Sequence, residues 1–154
     1  MSTIEQGVEV QVPVTVAYNQ WTQFEEFPSF MDGVQSVVQQ DDTHLHWTAR
    51  VAGVKKEWDA VVTEQIPDER VAWKSIDGTA NSGVVTFHRI ADDVTKVMLQ
   101  LDVQPDGVLE EAGDMLGLIK HQAVSDLERF KTFIEERGHE TGEWRGRVTR
   151  LGSN

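Results

Sequence analysis

The 154-residue chain contains no cysteine, which excludes disulfides, thiolate metal sites and cysteine nucleophiles and agrees with a reducing compartment. It has no run of 18 apolar residues, the minimum for a membrane-spanning helix. Its start, Met1-Ser2-Thr3-Ile4-Glu5, lacks the basic and then apolar segments of a secretory signal, so a cytoplasmic location is expected. Positive charge is also scarce. Fourteen Lys and Arg against 26 Asp and Glu leave a formal net charge of −12, which repels a phosphate backbone and argues against a nucleic-acid partner. No Gly-x-Ser-x-Gly elbow, phosphate-cradling glycine loop or His-Glu-x-x-His helix is present, so the chemistries those motifs serve are set aside and no cofactor is implied.

Hydrophobic residues make up 39% of the chain, enough for one substantial core, so one domain is expected. Val8, Val10 and Val12 alternate with Glu9 and Gln11, the period of a half-buried strand over 4–12 that Pro13 ends. From Val14 to Phe24, Val14, Ala17, Tyr18, Trp21 and Phe24 or Thr22 recur every three or four residues, which predicts a short amphipathic helix. A second helical turn is expected over 27–31, with Pro28 suited to its first position.

Alternation resumes at Val34 and continues to Val103, interrupted by turn chemistry at Asp41-Asp42, Gly53, Pro67-Asp68-Glu69, Asp77-Gly78 and Ala91-Asp92-Asp93. This reads as about six further strands, joined by connections too short for parallel crossovers, so the sheet is expected to be antiparallel. After Pro105-Asp106-Gly107 the period changes. Leu109, Ala112, Leu116, Ile119, Ala123, Leu127, Phe130 and Ile134 follow helical spacing, with Asp106 as N-cap and Gly138 as the stop, over about 30 residues. A helix of that length spans roughly 45 Å and is the one element large enough to cover the sheet's apolar face.

Several local motifs add to this order of elements. They are Val12-Pro13-Val14 leading to Tyr18 and Trp21, Phe24-Glu25-Glu26-Phe27-Pro28-Ser29-Phe30-Met31, Pro67-Asp68-Glu69-Arg70-Val71-Ala72-Trp73, and Asp126-Leu127-Glu128-Arg129-Phe130-Lys131. As a set they resemble the START-like (SRPBCC) superfamily with its helix-grip fold, above all its polyketide cyclase/dehydrase branch. The resemblance implies an α+β architecture: a curved antiparallel β-sheet of about seven strands wrapped around a long C-terminal α-helix, with two short helices after the first strand. Residues 1–138 would form that domain and 139–154 a polar C-terminal tail. It also implies a cavity between sheet and helix for a small hydrophobic molecule of polyketide, isoprenoid, quinone or lipid-like kind. The alternative within the same family is an aromatase-type polyketide cyclase/dehydrase acting on a poly-ketone.

Alternation assigns the inward face. Trp47, Ala49, Trp58, Ala60, Val62, Trp73, Ser75, Val85, Phe87, Leu99 and Leu101 should point toward the helix, either lining a cavity or filling a core. The ligand-binding candidates are Trp47, Trp58, Trp73, Ser75, Phe87 and Leu99 on the sheet and Gly113, Leu116, Gly117 and Lys120 on the helix. Gly113 and Gly117 cost about 1 kcal/mol each relative to Ala, for which two reasons are open: space for a ligand, or close approach of the helix to the short helices. Lys120 is either a snorkelling stem or a cation at the cavity mouth. Tyr18, Ser75, His88 and Lys120 are the side chains able to move protons if the protein is an enzyme, and Glu110 and Asp114 could also act on a ligand. Arg50, Asp59, His88 and His121 read as exterior or solvated. His44 and His46 fall on the outer face without a third ligand, so no metal is expected. Trp144-Arg145-Gly146-Arg147 in the tail offers a contact through which the chain could form an oligomer.

Overall fold

The computed structural model describes residues 2–51, 53–78, 81–103 and 109–148; for Ser2, Val51, Gly78, Val103 and residues 109–116 it describes the backbone alone. Seven strands follow one another as β1 Ser2–Val10, β2 Val34–Gln39, β3 His44–Val51, β4 Val54–Ile66, β5 Arg70–Gly78, β6 Asn81–Ala91 and β7 Val94–Val103. They form one antiparallel sheet in the order β1-β7-β6-β5-β4-β3-β2. From β2 to β7 every neighbour in sequence is a neighbour in space. β1 instead pairs with β7, so the segment between β1 and β2 must cross from one edge of the sheet to the other.

That segment holds helix α1 Val14–Trp21 and a 3-10 helix Phe24–Ser29. The helix stops three residues short of the expected Phe24, because Thr22 turns its hydroxyl back onto the carbonyl of Asn19 at 2.6 Å. Pro28 lies inside the 3-10 helix rather than at the start of a second α-helical turn, and Phe24 belongs to that element. β1 likewise begins and ends two residues earlier than the valine alternation suggests, although Val12 beyond its end is still buried.

The sheet curls because four extra residues are inserted along its ladders, at Val34/Ser36, Asp59/Ala60, Val62/Glu64 and Arg89/Ala91. Helix α2, Leu109–Arg137, lies across the concave face. It ends at Gly138, whose φ of 75° suits glycine and whose N–H donates to the Ile134 carbonyl at 2.8 Å. Asp106, the expected N-cap, lies outside the described residues.

The core is concentrated at one end of the concavity. Leu127, Phe130 and Ile134 of α2 are buried there with Trp21, Phe24, Phe27 and Phe30 from the crossing segment. Trp21 meets Phe130 edge-on at 4.8 Å, and Phe30 meets Phe130 at 5.2 Å. Aromatic rings pack best in such tilted and edge-on pairs, so this cluster joins α2 to the crossing segment.

Residues 139–148 fold back over α1 rather than standing away from the domain. Val148 is buried and exchanges both backbone hydrogen bonds with Gln65, while Thr141 pairs with Gln20 and Glu140 with Asn19. Arg145 donates to Asp68 at 2.7 Å and to Asn19 at 2.8 Å, and its guanidinium lies over the Tyr18 ring. Trp144 and Arg145, read from the sequence as a surface for a second subunit, are thus engaged within the chain.

Candidate functional site

The aromatic cluster fills one end of the concave sheet and leaves space beneath the middle of α2. A cavity of about 380 Å³ results. On the sheet side its wall is made by Leu45, Trp47 and Ala49 of β3, Trp58 and Val62 of β4, Val71 and Trp73 of β5, Asn81 of β6, and Leu99 and Leu101 of β7. Trp21, Phe24 and Phe27 close its inner end. Leu118, Ile119, Ala123 and Leu127 of α2 form its roof.

Strand register explains why these residues meet. Trp47 faces Trp58 across β3 and β4, Val62 faces Trp73, and Trp73 faces Gly83, which in turn faces Leu101. Each pair lies on the same side of the pleat, so one face collects the large apolar groups. Trp47 and Trp58 stack nearly parallel, and the Nε1 of each is buried without a hydrogen-bond partner. Trp73 is half-buried and donates its Nε1 to Asn81.

Among the described lining residues polar groups are few: Asn81 on the sheet wall, and half-buried or exposed side chains at the rim. Asp126 is half-buried in the wall, and one of its oxygens accepts from the Gln122 amide at 2.8 Å and from the Asp32 backbone N–H at 3.2 Å. Desolvation dominates over those hydrogen bonds and pushes its carboxyl up to about 6. Gln122, His121 and Arg50 complete the polar border. His121 is exposed, as a solvated residue should be, yet it reaches the rim. Arg50 is exposed too and donates to the Gly53 carbonyl at 3.0 Å, but it contributes to the wall where alternation alone puts it outside, at the last turn-ward residues of β3.

Of the residues singled out from the sequence, Trp47, Trp58, Trp73 and Leu99 come together on the cavity wall. Phe87 is buried against Tyr18, ring centroids 5.5 Å apart, and belongs to the core. Ser75 is off the wall, its hydroxyl accepting the Asn81 backbone N–H. Gly117 is exposed, and beyond its neighbours and its own helix backbone no described atom lies within 4 Å of where its Cβ would be, so close approach to the short helices is not its role. Lys120 is exposed and off the wall. The side chains of Glu110, Gly113, Asp114 and Leu116 lie outside the described residues.

The four proton-moving candidates are therefore scattered. Tyr18 is fully buried, and burial raises its hydroxyl pKa; Gln65 and Arg145 lie near enough to oppose that, but the hydroxyl has no hydrogen bond of normal geometry. His88 points outward and bonds Thr86. On the same outer face His46 bridges Asp59 and Glu57, which raise its pKa. Asp126, the one carboxyl among the described wall residues, did not stand out in the sequence as a site residue. Its signal was available: it falls three residues after Ala123 and four before Phe130, on the inward stripe of α2.

Comparisons with known proteins agree with this geometry. A family model described as polyketide cyclase / dehydrase and lipid transport matches residues 10–132. An uncharacterised 17.2 kDa protein of Streptomyces lincolnensis is 62% identical over 149 residues, 96% of this chain and 99% of that one. Among solved structures, the Zhui aromatase/cyclase of a Streptomyces species superposes with a TM-score of 0.76 at 16% identity, over 93% of this chain and 99% of that one. A START superfamily protein of Mycobacterium smegmatis gives a TM-score of 0.66 at 16% identity, over 88% of this chain and 95% of its own. At those identities the two structures establish the helix-grip fold and nothing finer.

Proposed function

The chain belongs to the polyketide cyclase/dehydrase and lipid transport family, and from that premise we propose that it binds a small hydrophobic molecule in the cavity between the sheet and α2. The observation that carries the reading is the makeup of the wall: stacked Trp47 and Trp58 with Trp73, Leu99 and Leu101 on the floor, and, apart from Asn81 beside Trp73, polar side chains at the rim. A volume of about 380 Å³ falls in the range of pockets that enclose a small organic ligand. An apolar body would be desolvated against the indoles, and a single polar end would remain near Gln122 and Asp126. A polyketide, isoprenoid, quinone or fatty acyl compound has that form.

The experiment is a titration of intrinsic tryptophan fluorescence with a long-chain alcohol, a quinone and a polycyclic phenol. Saturable quenching with one-to-one stoichiometry by at least one of them is expected. Indifference to all three would contradict the reading.

A second reading is catalysis of cyclisation and dehydration on a poly-ketone, and Asp126 is the observation in its favour. A carboxyl held near neutrality can take a proton from carbon next to a ketone and return it to a departing hydroxyl, while the cavity holds the chain folded. Turnover of a poly-ketone with a pH limb near 6 that disappears in Asp126→Asn would support it. Binding without turnover would leave the carrier reading alone.

A further inference from the structure

Gly83 on β6 faces Trp73 on β5 in direct cross-strand register. A Cβ at Gly83 would stand 2.7 Å from Cζ2 and 2.9 Å from Cη2 of Trp73, and 2.9 Å from the Gln100 carbonyl oxygen. Carbon atoms do not approach that closely, so the six-membered ring of Trp73 occupies the space that any other residue at 83 would claim. The ring's other end is also held. Its Nε1 donates to Asn81 Oδ1 at 3.4 Å, and the Asn81 backbone N–H donates to Ser75 Oγ at 3.0 Å. Glycine inside a strand weakens it and commonly marks a close approach; here the approaching group is an indole laid across the sheet.

Resting on the reading that the cavity binds a hydrophobic ligand, we propose that Gly83 and Trp73 set the depth of the cavity and so select the ligand by size, with Ser75 and Asn81 as positioning residues for the indole. The absent side chain lets the ring lie down over β6 instead of rising toward α2. The floor it makes is a flat π-face, which favours a planar, ring-bearing ligand. Any side chain at 83 lifts the ring and makes the cavity shallower. A smaller residue at 73 deepens it.

The test measures affinity of the full-length chain for 2-naphthol and 1-hydroxypyrene, a two-ring and a four-ring phenol, by calorimetry, with circular dichroism as the fold check. Trp73→Leu is expected to raise the four-ring over two-ring affinity ratio by about tenfold, the scale of a cavity-size effect on binding. Ser75→Ala, which removes the acceptor of the Asn81 backbone N–H and loosens the support behind the ring, is expected to lower it about threefold. Gly83→Ala should lower it further, and is read only where its circular dichroism matches wild type, since it also presses on the Gln100 carbonyl. A ratio in Trp73→Leu within twofold of wild type would overturn the proposal while leaving ligand binding intact. If neither phenol binds wild type, the binding reading fails and this proposal fails with it.

Discussion

Trp47 and Trp58 face one another across β3 and β4 with ring centroids 5.7 Å apart and planes 11° from parallel. Neither indole N–H has a hydrogen-bond partner, so both rings act here as apolar surface. Replacing either by another aromatic ring should therefore cost little beyond the area lost.

Trp58→Phe is expected to keep stability within about 1 kcal/mol of wild type and to retain ligand quenching, while Trp58→Ala is expected to weaken ligand affinity about tenfold or more. Chemical denaturation and fluorescence titration measure the two effects. Equal affinity in wild type and Trp58→Ala would remove the stacked pair from the site.

Asp126 makes a prediction about pH. Its carboxyl is raised to about 6 in the folded chain, so the folded state holds a proton that the unfolded state has released between the ordinary carboxylate value and 6. Stability from this group therefore falls as pH rises through that window and stays low above it. Asp126→Asn keeps the acceptor for Gln122 and Asp32 but cannot ionise. After discounting for solvent screening at the rim, it is expected to be more stable than wild type by roughly 1 kcal/mol at pH 7, and equal near pH 4. Denaturation curves at the two pH values decide it; a variant less stable at pH 7 would contradict the assignment.

Tyr18 is a buried hydroxyl without a partner, packed against Phe87 and beneath Arg145. Removing an unsatisfied buried polar atom relieves its desolvation cost, so Tyr18→Phe is expected to match wild-type stability or exceed it by about 1 kcal/mol. Ligand binding should be unchanged, because Tyr18 is not on the cavity wall. A clear loss of stability in thermal unfolding would mean that the hydroxyl is hydrogen-bonded within the fold.

The architecture was largely legible in the sequence because its two periods are clean. Alternation from Val34 to Val103 and helical spacing from Leu109 to Ile134 correspond to the observed β2 to β7 and α2. What alternation could not supply was register. The pairing of Trp73 with Gly83 joins residues ten apart through a hairpin, and nothing in either strand alone marks the glycine as the space for that indole. Phe87 shows the same limit from the other side. Its inward phase was correct, but whether an inward residue meets the cavity or the aromatic cluster depends on how far along the strand the crossing segment reaches. Asp126 was passed over because Lys120 reads from the sequence as the polar residue of the helix's inward arc, and which of the two meets the cavity depends on how α2 is turned over the sheet. Polarity also concealed the docking of residues 139–148, which are held mainly by hydrogen bonds to Asn19, Gln20, Gln65 and Asp68.

That docking predicts the effect of truncation. A chain ending at Gly138 would lose the Val148–Gln65 pairing and the Arg145–Asp68 contact and expose the ring of Tyr18. It is expected to unfold at a lower temperature, with a loss of about 2 kcal/mol or more, since a buried backbone pairing and part of the core leave together. Wild-type stability in the truncated chain would mean that the tail contributes nothing to the domain.

If the cavity roofed by α2 is a binding site for an apolar molecule, the folded chain should carry one. Native mass spectrometry of the purified chain, followed by denaturing extraction, tests it most directly. A discrete apolar compound is expected to travel with the folded chain, to be released on denaturation, and to be retained less by Trp58→Ala. A compound retained equally by wild type and Trp58→Ala would contradict the site, and a folded chain that carries none and takes up none when loaded would contradict the claim.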